Sequence, residues 1–336
     1  MKNRILKYGA MDIAKFFLSI CVVAIHTHPF EGSSDQILLN IYSSIVSLAV
    51  PFFFLCSGFF MYSSEKNFKK NISKVLNKHI KLYLIWTIIY LPITIYGFMV
   101  RGESLFYSVF SFVRGFLFVG ENQNSWILWY MLSSIIAIMI FKFCVFNLKK
   151  DVSFVFKLSI LFFIINLLLP FVYQINTTST IINITLKLLY LILPYGRILT
   201  GLFYISTGLM IAKYKSYFKN NYWTYLILFI IILIVNILLD INVINEIMIM
   251  VSSVLLFTFI INLDKINSKK TIVFRKLSTI IYFLHMLIFT LYSQFTANIF
   301  QLYGLHSFVL VLLITISFSF LILINKKNRI LNYIFN

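Results

Sequence analysis

The chain has 336 residues, of which 60% are apolar and only 12% charged, with 37 Phe, 20 Tyr and a mean hydropathy of +0.92. A soluble protein of this length carries about a quarter charged residues and a disordered one needs few apolar residues, so both classes are excluded in favour of a polytopic membrane protein. The net charge of +19 is not a nucleic-acid signal, because the 29 basic residues form short clusters between apolar stretches, the pattern of cytoplasmic loops.

At about 20 apolar residues per crossing, the sequence predicts an all-α fold of ten transmembrane helices: 9–28, 40–62, 82–100, 126–146, 155–173, 195–212, 222–240, 245–262, 277–297 and 307–325. The first run carries Asp12 and Lys15 and lacks a small-residue cleavage site, so it is not a removable signal peptide. Within it Asp12, Lys15, Ser19 and His26 fall within roughly 60° of one another at about 100° per residue. They make one polar stripe on an apolar helix. Asp12 and Lys15 are spaced to pair at i, i+3, and His26 stands about 16 Å further along the axis than Lys15. A snorkelling Lys and a wetted His are the plainer reading, but they leave the shared face unexplained.

Residues 63–81 are the longest polar segment and read as a loop, with Lys74, Lys78 and Lys81 close together. Residues 104–119 are apolar but short and carry Arg114, which predicts an interfacial or re-entrant helix, since Arg in lipid is costly. Trp129 and Tyr130 open the fourth span, as an interfacial belt or a substrate platform. Residues 180–194 end in Pro194, contain Lys187 and are placed at the outer interface. Arg197 then starts the sixth span, where it needs a carboxylate, an acceptor or the head groups as partner. In the ninth span His285 follows Tyr282 by three residues on one face, either as a hydrogen-bonded structural His or as a second catalytic one. Cys21, Cys56 and Cys144 all lie in apolar runs and read as small buried hydrophobes, with no disulfide framework and no metal site. The sequons at Asn176 and Asn183 carry meaning only in a glycosylating pathway.

The loops fix the expected orientation. Lys2, Arg4 and Lys7; Lys66 to Lys81; Lys142 to Lys157; Lys213 to Lys219; Lys265 to Lys276; and Lys326, Lys327 and Arg329 place 24 of the 29 basic residues on one side. Glu31, Asp35, Glu103, Glu121, Asp240 and Glu246 fall on the other. Both termini are therefore expected in the cytoplasm, in one transmembrane domain over 1–336 with no repeat and no soluble domain.

The motifs in this order resemble the membrane acyltransferase 3 family. A basic residue, ten residues and a His on the first helix (Lys15 to His26, preceded by Asp12) look like its signature. VPFFFLCSGFF (50–60) resembles its proline-aromatic-Ser-Gly second helix, and Lys78-x-x-Lys81 stands where it usually has Arg-x-x-Arg. SWILWYM (125–131), GRILTGLFYISTG (196–208) and IIYFLHMLIF (280–289) resemble its later helices. Within the family the pattern is most similar to the membrane half of vancomycin-resistance serine racemases. Departures are Lys for Arg at 15, 78 and 81, and Ile127 where relatives often place a His.

The resemblance implies a multi-pass enzyme of the cell membrane that carries an acyl group, usually acetyl from cytoplasmic acetyl-CoA as co-substrate, to a hydroxyl of a glycan or lipid-linked acceptor. No tightly bound cofactor is implied, and a separate extracytoplasmic partner is possible. Such chemistry needs a general base, a role suited to His near neutral pH. His26 is the candidate base, with Lys15 and Asp12 beside it and His28 facing the loop. Lys74, Lys78 and Lys81 are candidates for CoA phosphates, against plain positive-inside charge. Ser57, Trp129, Tyr130, Arg197, Tyr282 and His285 are candidate substrate or supporting residues. Two alternatives stay open: a transporter of a small polar, serine-like molecule, and a non-catalytic partner in cell-surface polymer synthesis. A transporter is expected to show symmetric Gly/Pro-broken helices; Pro51, Gly58, Pro92 and Gly97 are not so placed.

Overall fold

The structure, a computed structural model, describes residues 8–62, 67–175, 178–194, 196–219, 222–239, 241–263, 271–296, 302–325 and 334–335. Lys2, Arg4, Lys7, Lys66, Asn176, Asp240, Lys265, Lys269, Lys270, Lys326, Lys327 and Arg329 lie outside the described residues. Those described form helices and no strand. In chain order they are α1 (Gly9–Thr27), α2 (Gln36–Val46), α3 (Ala49–Met61), α4 (Phe68–Val100), α5 (Leu105–Arg114), α6 (Leu128–Lys142) and α7 (Val152–Tyr173). They continue with α8 (Thr180–Ile192), α9 (Arg197–Lys213), α10 (Tyr222–Leu239), α11 (Asn242–Ile261), α12 (Thr271–Thr296) and α13 (Leu305–Ile324).

Nine helical segments among the described residues are long and apolar enough to cross a membrane, and α8 with α9 makes a tenth if that pair, bent by 52°, is one span. The molecule is a multi-pass membrane protein. The second span is α2 and α3 together, over Gln36–Met61. The sixth departs from the sequence reading: α9 has 17 residues, about 26 Å at 1.5 Å per residue, short of the roughly 30 Å hydrocarbon core. Residues 180–192 are the helix α8, with no buried residue, leading into α9 across the bend. Residues 105–119, α5 and a following π-helical turn, are too short to cross.

The loop expected at 63–81 is corrected. From Phe68 onward it is the first two-fifths of α4, whose 33 residues measure about 50 Å. Lysine is a good helix former, so charge ends an apolar window without ending the helix. Phe68, Ile72 and Leu76 are buried on one face. Lys70, Lys74, Lys78 and Lys81 fall within about 80° on the other side.

The chain divides into two compact units, Met1–Phe53 with Lys215–Asn336, and Phe54–Tyr214. In the first, α1 packs along α12 and α13. It ends where His28 turns left-handed (φ 43°) and returns its N–H to the Ala24 carbonyl; Pro29 then prevents continuation. The Thr27 carbonyl accepts bonds from the Gly304 N–H and the Ser307 hydroxyl, each at 3.1 Å, tying the end of α1 to the start of α13. In the same unit, Asn236 of α10 donates to Ser44 of α2 at 2.8 Å.

In the second unit α9 is largely buried from Gly201 to Ile211 and is covered by α6 and α7. Its contact with α3 is backbone against backbone. A side chain at Gly58 would strike the Ile205 carbonyl, and one at Gly208 the Leu55 carbonyl, the small-residue packing that membrane helices use. Asp35, Ser104 and Asp151 cap α2, α5 and α7 by accepting bonds from the N–H groups of Leu38, Tyr107 and Phe154. Each supplies an acceptor for an N–H that the helix leaves unpaired.

Candidate active site

In the first unit the polar stripe of α1 meets α12. Asp12 is only 3% exposed, and its carboxylate accepts two bonds from Arg275, at 2.7 Å from Nε and 2.6 Å from Nη2. This corrects the expected Asp12–Lys15 pair. A guanidinium fork matches both carboxylate oxygens at once, which an ammonium one turn away does not. Arg275, read from the sequence as a loop cation, lies inside α12. Lys15 is half-buried and forms no ion pair among the described residues. Ser19 is fully buried, its hydroxyl donating to the Phe16 carbonyl at 2.7 Å, so it serves packing within α1.

Further along the same two helices, the rings of His26 and His285 stand 5.4 Å apart, inclined by 34°. Because Asp12 meets Arg275 at one end and His26 meets His285 further on, α1 and α12 run parallel. His26 is half-buried and His28 exposed. The His28 ring packs on Tyr303 at 5.0 Å, at the loop end where the sequence places it. His285 has no exposed surface. Its Nδ1 lies 3.0 Å from the Ile281 carbonyl, so Nδ1 carries the proton and donates, and Nε2 is a buried acceptor without a partner. Tyr282 is buried with its ring 6.3 Å from that of His285 and 6.1 Å from Phe53.

In the second unit Arg197 pairs with Glu121, and its guanidinium lies over the Trp129 ring at 4.7 Å. Of the partners left open for Arg197, a carboxylate is the one found. Its origin is the polar 121–125 run, held on α4 by bonds from the Thr94 hydroxyl to the Gln123 carbonyl and from the Asn124 amide to the Ile93 carbonyl. Ser133 of α6 donates to the Arg197 carbonyl at 2.7 Å, and Gly196 begins α9 in the left-handed region (φ 58°) against Asn166. Ser57 and Tyr130 share a hydrogen bond at 3.1 Å with Tyr130 buried. Trp129 is therefore a support for a cation. Lys74 and Lys78 are exposed and Lys81 half-buried on α4.

The acyltransferase domain of the acyltransferase 3 family matches residues 8–324. The chain belongs to this family. The match takes in all of the second unit, Phe54–Tyr214, and all but the two ends of the first. Relatives include an amino-acid racemase of Enterococcus faecalis, 28% identical over 130 residues (39% of this chain, 17% of the relative), and a second from that organism, 30% identical over 142 residues (41% and 19%). A serine/alanine racemase of Enterococcus gallinarum is 28% identical over 102 residues (29% and 14%). The chain thus covers less than a fifth of these relatives' length. No solved structure matches it.

Set within the acyltransferase 3 family, the structure pairs Asp12 with Arg275 and, further along α1 and α12, His26 with His285 beside Tyr282, and separately gathers Arg197, Trp129, Ser57 and Tyr130 in the other unit. It adds two residues that sequence reasoning missed as site members, Arg275 and Glu121. The available signal was Asp12 itself. A carboxylate in an apolar helix demands a cation, and an Arg close to another predicted span was the better candidate for a fork.

Proposed function

We propose that this membrane acyltransferase moves an acetyl group from cytoplasmic acetyl-CoA to a hydroxyl of a cell-envelope glycan or lipid-linked saccharide, with both termini in the cytoplasm. The observation that carries this reading is His26, half-buried on α1 and paired ring to ring with His285, on a helix whose only carboxylate is already neutralised by Arg275. A neutral imidazole is suited to take the hydroxyl proton. Lys15, with no acidic partner on its own helix, is positioned to stabilise the donor's anionic groups or the developing oxyanion. The stripe of Lys74, Lys78 and Lys81 supports phosphate binding, each as a point charge. Ser57, Trp129, Tyr130 and Arg197 with Glu121 would serve the acceptor, with a separate extracytoplasmic partner presenting it.

Mass spectrometry of surface glycans and lipids from cells with and without the gene tests the reading. A set of species heavier by one acetyl group only when the gene is present is the expected result. Identical spectra would sink it. The racemase names of the relatives point to an amino acid as the small molecule of a second reading, uptake of a serine-like solute, which labelled serine and the same cells test directly.

A further inference from the structure

A histidine base works when one nitrogen is held protonated by a neighbouring acceptor, so that the other is left free for the substrate proton. A carboxylate usually supplies that acceptor. Here the only carboxylate of α1 is Asp12, fourteen residues before His26 and engaged by Arg275, while α12 and α13 carry no acidic residue. His285 stands ring to ring with His26. Its own tautomer is set by the bond from Nδ1 to the Ile281 carbonyl, and the opposite nitrogen is a buried acceptor with no partner. An unpaired buried acceptor is costly and asks for a donor. Ring centres 5.4 Å apart leave the two imidazoles close enough for a small turn of the His26 ring to bring a nitrogen of each to hydrogen-bond length.

We propose that His285 is the positioning residue of the base: its Nε2 accepts the N–H of His26 and thereby fixes which His26 nitrogen receives the substrate proton. This rests on the acyl-transfer reading for its role in catalysis, though not for the pairing itself. In the step it serves, the acceptor hydroxyl passes its proton to the free nitrogen of His26 while its oxygen bonds to the thioester carbonyl carbon. The C–S bond then breaks, and the thiolate leaves with the proton that His26 returns. His285 touches neither substrate nor reacting atom.

The test uses the full chain in nanodiscs with ¹⁵N-labelled histidine, the His26 signals being assigned by their loss in His26→Gln. The wild type should show His26 in one tautomer, His285→Phe a mixture of both, and His285→Gln, which keeps an acceptor at that place, one tautomer again. The glutamine variant carries the comparison alone where the phenylalanine variant does not fold. In membranes given [¹⁴C]acetyl-CoA, His285→Phe should lower kcat for label transfer by between about 10-fold and the 10⁴-fold cost of a wrong tautomer, with KM unchanged. A His26 spectrum indifferent to His285, or a raised KM with kcat kept, would overturn the proposal. Absence of transfer in every membrane, wild type included, would instead remove the acyl-transfer reading, and the spectra would still decide the pairing.

Discussion

The Asp12–Arg275 pair shows how a single residue's role depends on what lies far from it in sequence. On α1 alone, Lys15 is the natural partner at i+3; in the fold, a cation 263 residues away takes both oxygens. Removing one member of a buried ion pair strands the other, at roughly 3–5 kcal/mol. Arg275 keeps about a third of its side chain exposed, so we expect the lower end. Thermal unfolding of the detergent-solubilised chain should show Arg275→Gln and Asp12→Asn clearly destabilised, with partial recovery in the reversed pair Asp12→Arg with Arg275→Asp. Lys15→Gln should unfold like the wild type while losing acyl transfer. Equal destabilisation by Lys15→Gln and Arg275→Gln would refute this division of labour. The stripe on α1 was legible from spacing. Its partners were not, because no local pattern encodes which distant helix supplies a fork.

Elements were legible wherever an apolar run was long and clean. The sequence window failed at α4, where lysines interrupt the apolar run without interrupting hydrogen bonding, and at α9, where Pro194 and Gly196 break the line before a short helix. The continuation of α4 turns a loop cluster into an ordered stripe. Replacing Lys78 and Lys81 by Gln should raise the apparent KM for acetyl-CoA at normal protein level, whereas the same change at Lys149 and Lys150, in a loop beyond α6, should not. Equal effects from the two pairs would reduce the stripe to general charge. The contact of α3 with α9 makes a separate prediction about packing. Gly208→Val drives a branched side chain into the Leu55 backbone and should cost about 3 kcal/mol or more, read as lost thermal stability. Ile231→Ala on the exposed face of α10 should change little.

At the scale of the whole molecule, composition alone identified a multi-pass membrane protein, and the ordered motifs pointed to the family that matches residues 8–324. The division into two units was not visible, since no linker separates them and the first is assembled from both ends of the chain. The proposed orientation predicts that an impermeant maleimide labels Glu31→Cys in intact cells and reaches Lys150→Cys only after lysis. The reverse pattern would invert the molecule.

The central claim is that His26 is the base of an acyl transfer. Label moved from [¹⁴C]acetyl-CoA into the envelope fraction of membranes measures it most directly, comparing wild type, His26→Ala, His26→Gln and His28→Ala at equal protein level. General base catalysis contributes about 10²–10⁴-fold. Both His26 variants should fall by that much, since Gln keeps a hydrogen bond but no basicity, and His28→Ala should stay near wild type. Retention of most activity by His26→Gln would contradict the claim.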